Sequence, residues 1–338
     1  MTVFLTGASG YVGSYVAREL LQRGHRVRAL VRPESEWKLR VDPEAIEIVH
    51  GDITAPESLR GTIEGCEVVI HLVGIIEEIP DQGITFERIH LQGALNVLEE
   101  AKRSGVRRFV LMSANGVKPR EEAVSGYQWT KYEAEQAVKA SGLEYVIFRP
   151  SLIFGEPGPG QPEFTTGLIE DLFSIPLIPL PLFCRGFPLG KMLLALFSCI
   201  PSVREYISRE GTDVEMQPVA VENVAEGFAK AVDRENVVNR TYEVGGPDRV
   251  RWGVLLDIVA EAAGIRPRWK MPLPELLIRP VLALPISLPL TRDKLEMLLE
   301  GNVCDPEPFF RDFEIHPIPF TVENLGFLRT WKARNERR

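Results

Sequence analysis

Short apolar runs alternate with amphipathic stretches through the first half of the chain. Runs rich in Val, Ile and Leu at about 2–6, 26–32, 46–50, 67–73, 107–113 and 143–149 read as buried strands. The stretches between them, at about 11–23, 56–64, 84–104 and 127–141, carry helical spacing; Val12, Val16 and Leu20, for example, share one stripe. Gly24, Gly65, Gly105 and Gly142 each fall just after one of these helices, where a left-handed residue ends the turn. This alternation predicts an α/β protein with a doubly wound parallel sheet of the Rossmann type.

The pattern changes after about residue 155. Residues 155–162 are rich in Gly and Pro and read as a loop. Three apolar stretches follow at 172–184, 192–201 and 280–290, and prolines interrupt the first and last. None reaches the roughly 18 uninterrupted apolar residues of a membrane span. Between them, 219–232 reads as a helix and 241–244 as a strand. The expected organisation is therefore a nucleotide-binding domain over 1–155 and a smaller, irregular, mainly helical substrate region over 156–338. Part of 215–250 is expected to pack back on the first domain.

Composition narrows the function. The 338 residues are 45% hydrophobic and 25% charged, as in ordinary globular proteins. A net charge of −8 disfavours nucleic acid as a partner. Cys66, Cys184, Cys199 and Cys304 are scattered and read as buried small hydrophobes. The five histidines form no ligand motif, so no metal site is expected. The first strand begins at residue 2, so no secretory leader is expected and a cytoplasmic, reducing setting follows. The apolar segments leave room for a peripheral position on the inner face of a membrane.

The candidate chemistry starts at the first strand–helix junction. Gly7-Ala8-Ser9-Gly10-Tyr11-Val12-Gly13 joins the strand to the helix. Gly7 permits the tight turn, Gly10 lets backbone approach phosphates, and Gly13 lets helix and strand pack closely. Gly7, Ser9, Gly10, Tyr11, Val12 and Gly13 are thus candidate contacts of a dinucleotide pyrophosphate. An NAD-specific site places an acid at the end of the second strand, but this chain has Arg28-Ala29-Leu30-Val31-Arg32. Arg28 and Arg32 share a face, and the Arg32 guanidinium suits a ribose 2′-phosphate, so NADP(H) is expected in preference to NAD(H). Asp52 and Ile53 follow the third strand. Asp52 has two readings, acceptor of the adenine amino group or cap of the helix near Pro56, and Ile53 is placed against the ring. Leu72, Val73 and Gly74 end the fourth strand, where they pass beneath the ribose, and His71 within it reads as structural.

Ser113 ends the fifth strand, and Tyr127-Gln128-Trp129-Thr130-Lys131 follows. Tyr127 and Lys131 lie one helical turn apart on one face. A phenol near pKa 10 is a poor base at pH 7, and an adjacent ammonium favours its phenolate. Tyr127 is then the expected acid/base, Lys131 its electrostatic partner and a ribose ligand, and Ser113 the group that orients the substrate oxygen.

Taken together, TGASGYVG, GDIT, HLVG, Ser113, YQWTK and Arg149-Pro150-Ser151-Leu152-Ile153-Phe154-Gly155 resemble the short-chain dehydrogenase/reductase superfamily in order and spacing. More narrowly, VIHLVGII, MSANGVK and Pro289-Leu290-Thr291-Arg292-Asp293 resemble the atypical branch related to the nucleotide-binding accessory subunit of respiratory complex I. The resemblance implies a Rossmann domain that binds NADP(H), a small C-terminal substrate domain, and a nicotinamide lined by Pro150 to Ile153. The chain departs from the pattern in two places. Extended members often carry Ser or Thr one residue after Ser113, where Ala114 stands. His90 occupies a position that is asparagine in many members.

The favoured reading is an NADP(H)-dependent oxidoreductase or epimerase acting on an apolar carbonyl or alcohol. In that reading, segments 172–201 and 280–290 roof a greasy pocket. The alternative is a nucleotide-bound, non-catalytic structural or assembly factor that docks on a membrane-protein complex, such as a respiratory or photosynthetic one, through the same segments. A nucleotide-sensing regulator is a third reading. Those segments also suit a homodimer interface or peripheral membrane contact.

Overall fold

The computed structural model describes the chain except residues 174–178, 186–187, 267, 283–291 and 336–338. Six strands of the first half form as expected: β1 (Thr2–Thr6), β2 (Arg26–Val31), β3 (Glu47–His50), β4 (Val68–His71), β5 (Arg108–Met112) and β6 (Glu144–Pro150). A seventh strand, Arg240–Val244, pairs in parallel with β6 at the sheet edge. From that edge the order continues β6-β5-β4-β1-β2-β3, all parallel. The connectivity reverses between β1 and β4, the switch point where such sheets bind ligands outside the carboxyl ends of their strands.

Period-two alternation puts the two faces of the sheet into separate cores. Val3 and Leu5 of β1 pack under α1 (Tyr11–Gln22) with Val12, Val16 and Leu20, and with Val224 and Phe228 of the helix Val221–Lys230. Phe4, between them, faces the other way and joins Val97 and Leu98 of α2 (Gly93–Arg103) and Val138 of α3 (Gly126–Lys139). A third core, with Leu182, Ile207, Leu255, Leu256 and Phe320, belongs to the C-terminal half. The fully buried Arg108 ties that half to the sheet. Its guanidinium donates to the carbonyls of Ala231, Val232 and Arg234, which follow the helix Val221–Lys230, and it forms an ion pair with Glu144. Carbonyls left open at a helix end are thereby satisfied away from water.

Three expectations change. The helix expected at 56–64 is a single 3₁₀ turn, Pro56–Leu59. Ser58 Oγ bonds back to the Asp52 and Ala55 carbonyls, Gly61 adopts φ +73°, and the Thr62 and Glu64 carbonyls are taken by Arg28 Nη1 instead of by a continuing helix. The helix expected over 84–104 begins as a π-helical turn, Glu87–Gln92, before regular α2. Cys199 is exposed, whereas Cys66, Cys184 and Cys304 are buried. In the apolar tail segments, Leu180–Cys184 pairs in parallel with Lys270–Pro274, and helices form at Leu189–Ala195, Pro201–Glu210 and Glu275–Leu282. Most of 280–290 lies outside the described residues. Among the described residues, no helix is long and apolar enough to cross a membrane.

Candidate active site

The turn between β1 and α1 is closed on itself by glycine backbone. Gly7 has φ +82°, a left-handed conformation that glycine adopts at little cost. The Gly10 amide donates to the Gly7 carbonyl at 2.9 Å, and Gly10 caps α1 with no side-chain hydrogen bond. A Cβ at Gly13 would stand 1.9 Å from the Gly7 oxygen, so helix and turn meet at backbone distance. The first amides of α1 therefore face outward, the arrangement that binds an anion.

A cleft of about 470 Å³ opens at this point. Gly7, Ser9 and Gly10 line it with Leu72, Val73 and Gly74 from the end of β4, and Arg32, Asp52 and Ile53 lie at the β2 and β3 end. The far wall, Gln82 to Ile84 with Arg88 and Ile89, comes from the segment after β4, which sequence reasoning missed. That loop carries no motif, and it is held in place by an Ile79–Ile84 bridge and by Glu78 accepting from the Phe86 amide at 2.7 Å. The cleft volume and the bare glycine turn fit a dinucleotide. Gly7, Ser9 and Gly10 would hold its phosphates.

Arg32 sits at the rim with more than half its side chain exposed, and its Nε lies 3.4 Å from Glu34, an acid the strand-end reading did not weigh. Arg28 is not part of the site. It pairs with Glu47 on β3 and holds the turn after Leu59. Asp52 Oδ1 accepts from the amide and hydroxyl of Thr54 at 2.7 and 2.8 Å, so it caps its own turn and not the 3₁₀ helix at Pro56. Asp52 still lines the cleft. Ile53 is buried against Gly93, and its carbonyl is held by Asn96 at 2.7 Å.

Lys131 joins the cleft to the expected chemical residues. Its Nζ donates to the Met112 carbonyl at 3.1 Å, beside Ser113, and lies 5.7 Å from the centre of the Tyr127 ring. A Cβ on Gly74, at the end of the cleft, would stand 3.2 Å from the same Nζ. Burial lowers Lys131 to about 8, against the buried Glu135 one turn on, which raises it. Tyr127 is pushed up to about 12 by burial. The sequence expectation that Lys131 tips Tyr127 toward phenolate is therefore not met in this structure, where burial moves the phenol in the opposite direction. The Tyr127 ring is gripped edge-on by Phe86 and His90, which stack on each other at 5.3 Å.

His90 is held at both ring nitrogens. Nδ1 lies 3.2 Å from Thr130 Oγ1, whose proton goes to the Gly126 carbonyl at 2.7 Å. Nε2 accepts from the Ile75 amide at 3.0 Å and lies 3.1 Å from the Ile75 carbonyl. Burial, assisted by Lys131, holds this ring neutral and lowers it to about 2. His90 thus braces both Tyr127 and the end of the cleft. His71 hydrogen-bonds Thr6 through Nδ1 at 2.8 Å, and burial lowers it to about 3. Its Nε2 and Ser113 Oγ are buried without a partner among the described residues, and both face a small cavity of about 10 Å³ shared with Lys131.

The remaining predicted residues surround the cleft without lining it. Val12 is in the core, and Gly13 lies beneath the turn. Pro150 ends β6 and accepts from the Asn115 amide at 2.9 Å, and Ile153 pairs with Val219. The Tyr11 hydroxyl, beside Gly155, is buried without a partner among the described residues. The loop expected at 155–162 forms, and sequence reasoning missed only that it packs on the turn, where Gln161 donates to the Ser9 carbonyl at 3.0 Å.

Glu163 at the end of that loop caps the following helix, accepting from Thr166 N and Thr165 Oγ1 through Oε2, while Oε1 is buried without a partner among the described residues. Burial raises this carboxyl to about 7 against the opposing hydrogen bonds. Between about pH 4.5 and 7 the folded state therefore holds a proton that the unfolded chain has released, so stability falls as pH rises through this window. Glu163→Gln keeps the acceptor and removes the charge. At pH 8 the substitution is expected to stabilise the nucleotide-free protein by up to about 3 kcal/mol, and at pH 4.5 to change little. Urea denaturation at the two values checks this, and an equal shift at both would contradict it.

Comparison with known proteins places the family and the fold. Residues 7–171 match the family model described as NAD(P)H-binding. The chain is 36% identical over 177 residues to a ceramide reductase of Caulobacter vibrioides, a match spanning 52% of this chain and about half (53%) of that relative's length. It is 23% identical over 343 residues to the mitochondrial NADH-ubiquinone oxidoreductase 40 kDa subunit of Neurospora crassa, covering 98% of this chain and 79% of that one. It is 34% identical over 170 residues to the Bacillus subtilis protein named uncharacterized sugar epimerase YhfK, covering 47% of this chain and 76% of that one. The UDP-glucose 4-epimerase of Thermus thermophilus, solved with NAD, shares the fold at a TM-score of 0.66 with 21% identity, covering 98% of each chain. With its glycine turn at the switch point of a seven-stranded parallel sheet, the chain belongs to the NAD(P)-binding extended short-chain dehydrogenase/reductase superfamily, the NAD-dependent epimerase/dehydratase group.

Proposed function

We propose that the protein is an NADP(H)-dependent oxidoreductase that reduces an apolar carbonyl compound, with Tyr127 as the proton donor. The observation that carries this reading is the placement of Lys131, which touches the strand end at Ser113, lies beside Tyr127 and borders Gly74 at the end of the cleft. Bound NADPH supplies the hydride. Tyr127, protonated at neutral pH, gives its proton to the substrate oxygen as charge develops there. The Ser113 hydroxyl orients that oxygen. The Lys131 ammonium stabilises the tyrosinate left behind and the ribose edge of the site. An apolar substrate is supported by the name of the ceramide reductase relative.

Single-turnover oxidation of bound NADPH with a panel of long-chain and polycyclic ketones tests the reading. Consumption of NADPH by at least one apolar carbonyl is expected, and oxidation by polar sugar ketones alone would refute the substrate class.

The cofactor preference rests on Arg32. A guanidinium–phosphate pair at a rim site is worth about 1.5–3 kcal/mol, so Arg32→Ala is expected to weaken NADPH roughly 10- to 100-fold and leave NADH nearly unchanged. Glu34→Ala, which frees the guanidinium from its 3.4 Å neighbour, is expected to tighten NADPH a few-fold. Fluorescence titration with both nucleotides reads this, and equal effects of Arg32→Ala on the two would remove the assignment.

A further inference from the structure

We infer that the C-terminal half docks on an anionic lipid bilayer through the outer face of residues 189–200 and the start of the helix Glu275–Leu282. This inference does not rest on the proposed reaction, because its readout is binding.

An apolar stripe on a helix normally faces a core. Leu189, Leu193, Leu196, Phe197 and Ile200 recur at helical spacing, yet all face outward, with Leu193 and Phe197 55% and 58% exposed. The helices Leu189–Ala195 and Glu275–Leu282 flank the same strand, Lys270–Pro274. Leu276, 70% exposed, and Leu277 extend the apolar surface on the second helix. Trp269 ties the first helix to that strand. Its indole donates to the Ala195 carbonyl at 2.7 Å while its ring stays partly exposed. Such a surface is larger than the scattered apolar residues of an ordinary exterior.

Charge selects the occupant. Residues 185–209 and 264–290 contain eight basic and two acidic residues, whereas the rest of the chain contains 31 basic and 45 acidic. Lys270 is buried against Asp257, and Arg209 and Arg279 have acidic neighbours, so the excess is carried mainly by Arg185, Lys191, Arg204 and Arg266. A second copy would set this positive surface against itself. An anionic headgroup layer complements it, while aliphatic and aromatic side chains enter the acyl boundary. The helices are too short to cross the bilayer, so the chain lies on it.

The test uses the whole protein with vesicles of phosphatidylcholine, alone or with 30 mol% phosphatidylglycerol. Co-sedimentation with the anionic vesicles is expected. The double substitution Leu193→Glu, Phe197→Glu is expected to lower the partition coefficient by about tenfold or more, with nucleotide binding retained as evidence of folding. A polarity-sensitive dye on the exposed Cys199 gives a reading on the otherwise unaltered chain, and its emission should shift to the blue only with anionic vesicles. No sedimentation, or sedimentation indifferent to both the substitutions and the lipid charge, would overturn the inference. So would a dimer in lipid-free solution that the substitutions dissolve, because it would put a second copy on this face.

Discussion

Tyr127→Phe is expected to slow single-turnover NADPH oxidation by about 10²- to 10⁴-fold while leaving the NADPH dissociation constant within about twofold of wild type. The split follows from the geometry. Tyr127 does not line the cleft, and Phe preserves the edge-on packing with Phe86 and His90. Only the proton is removed. The pH profile carries a second signature. Tyr127 is raised to about 12 and does not titrate in the working range, whereas Lys131 is lowered to about 8. The rate of the wild-type enzyme should therefore fall as pH rises through about 8, where the ammonium that stabilises the developing tyrosinate is lost. Lys131→Met should abolish that alkaline limb along with most of the rate. A Tyr127→Phe enzyme as fast as wild type would sink the acid role, and an alkaline limb that survives Lys131→Met would assign it to another group.

What could be read from the sequence divides along a physical line. β1, α1, α3 and the ends of the parallel strands were legible because apolar periodicity and glycine punctuation act locally. Gly7-Ala8-Ser9-Gly10, Leu72-Val73-Gly74 and Asp52-Ile53 converge on one cleft because each follows a strand whose carboxyl end must face the same edge of a parallel sheet. The 56–64 segment was misread because its hydrogen bonds are claimed from a distance: Arg28 on β2 takes the Thr62 and Glu64 carbonyls. His90 shows the same limit. Its position was visible, but its contacts with Ile75 and with Thr130, forty residues away, are tertiary. Tyr127 was read by reference to its lysine alone, and the burial that sets its proton affinity is a tertiary property. The stripe at 189–200 has the spacing of a core helix, and only the fold shows that it faces outward.

Gly13→Ala is expected to destabilise the protein by about 3 kcal/mol or more and to lower nucleotide affinity by about 100-fold or more. The added Cβ would lie 1.9 Å from the Gly7 oxygen, 2.6 Å from the Gly7 carbonyl carbon and 3.0 Å from Ala8 Cα. All three are backbone atoms of the turn, so no rotamer change relieves the contact, and the start of α1 must move away from β1. The displacement turns the first amides of the helix away from the position where they meet phosphate. Two other glycines separate this effect from a general cost of alanine. At Gly24 a Cβ meets nothing within 4 Å, but φ is +77°, so Gly24→Ala should cost only about 1 kcal/mol of backbone strain and leave binding intact. At Gly10 a Cβ would stand 3.1 Å from the Gly7 oxygen, a contact relieved by a few tenths of an ångström. Gly10→Ala should therefore keep most of the stability and lose affinity, since its methyl intrudes where phosphate approaches the backbone. Urea denaturation and NADPH titration of the three variants read out the order. If Gly13→Ala were no less stable than Gly24→Ala, the close packing of α1 on its turn would not be the constraint that keeps glycine there.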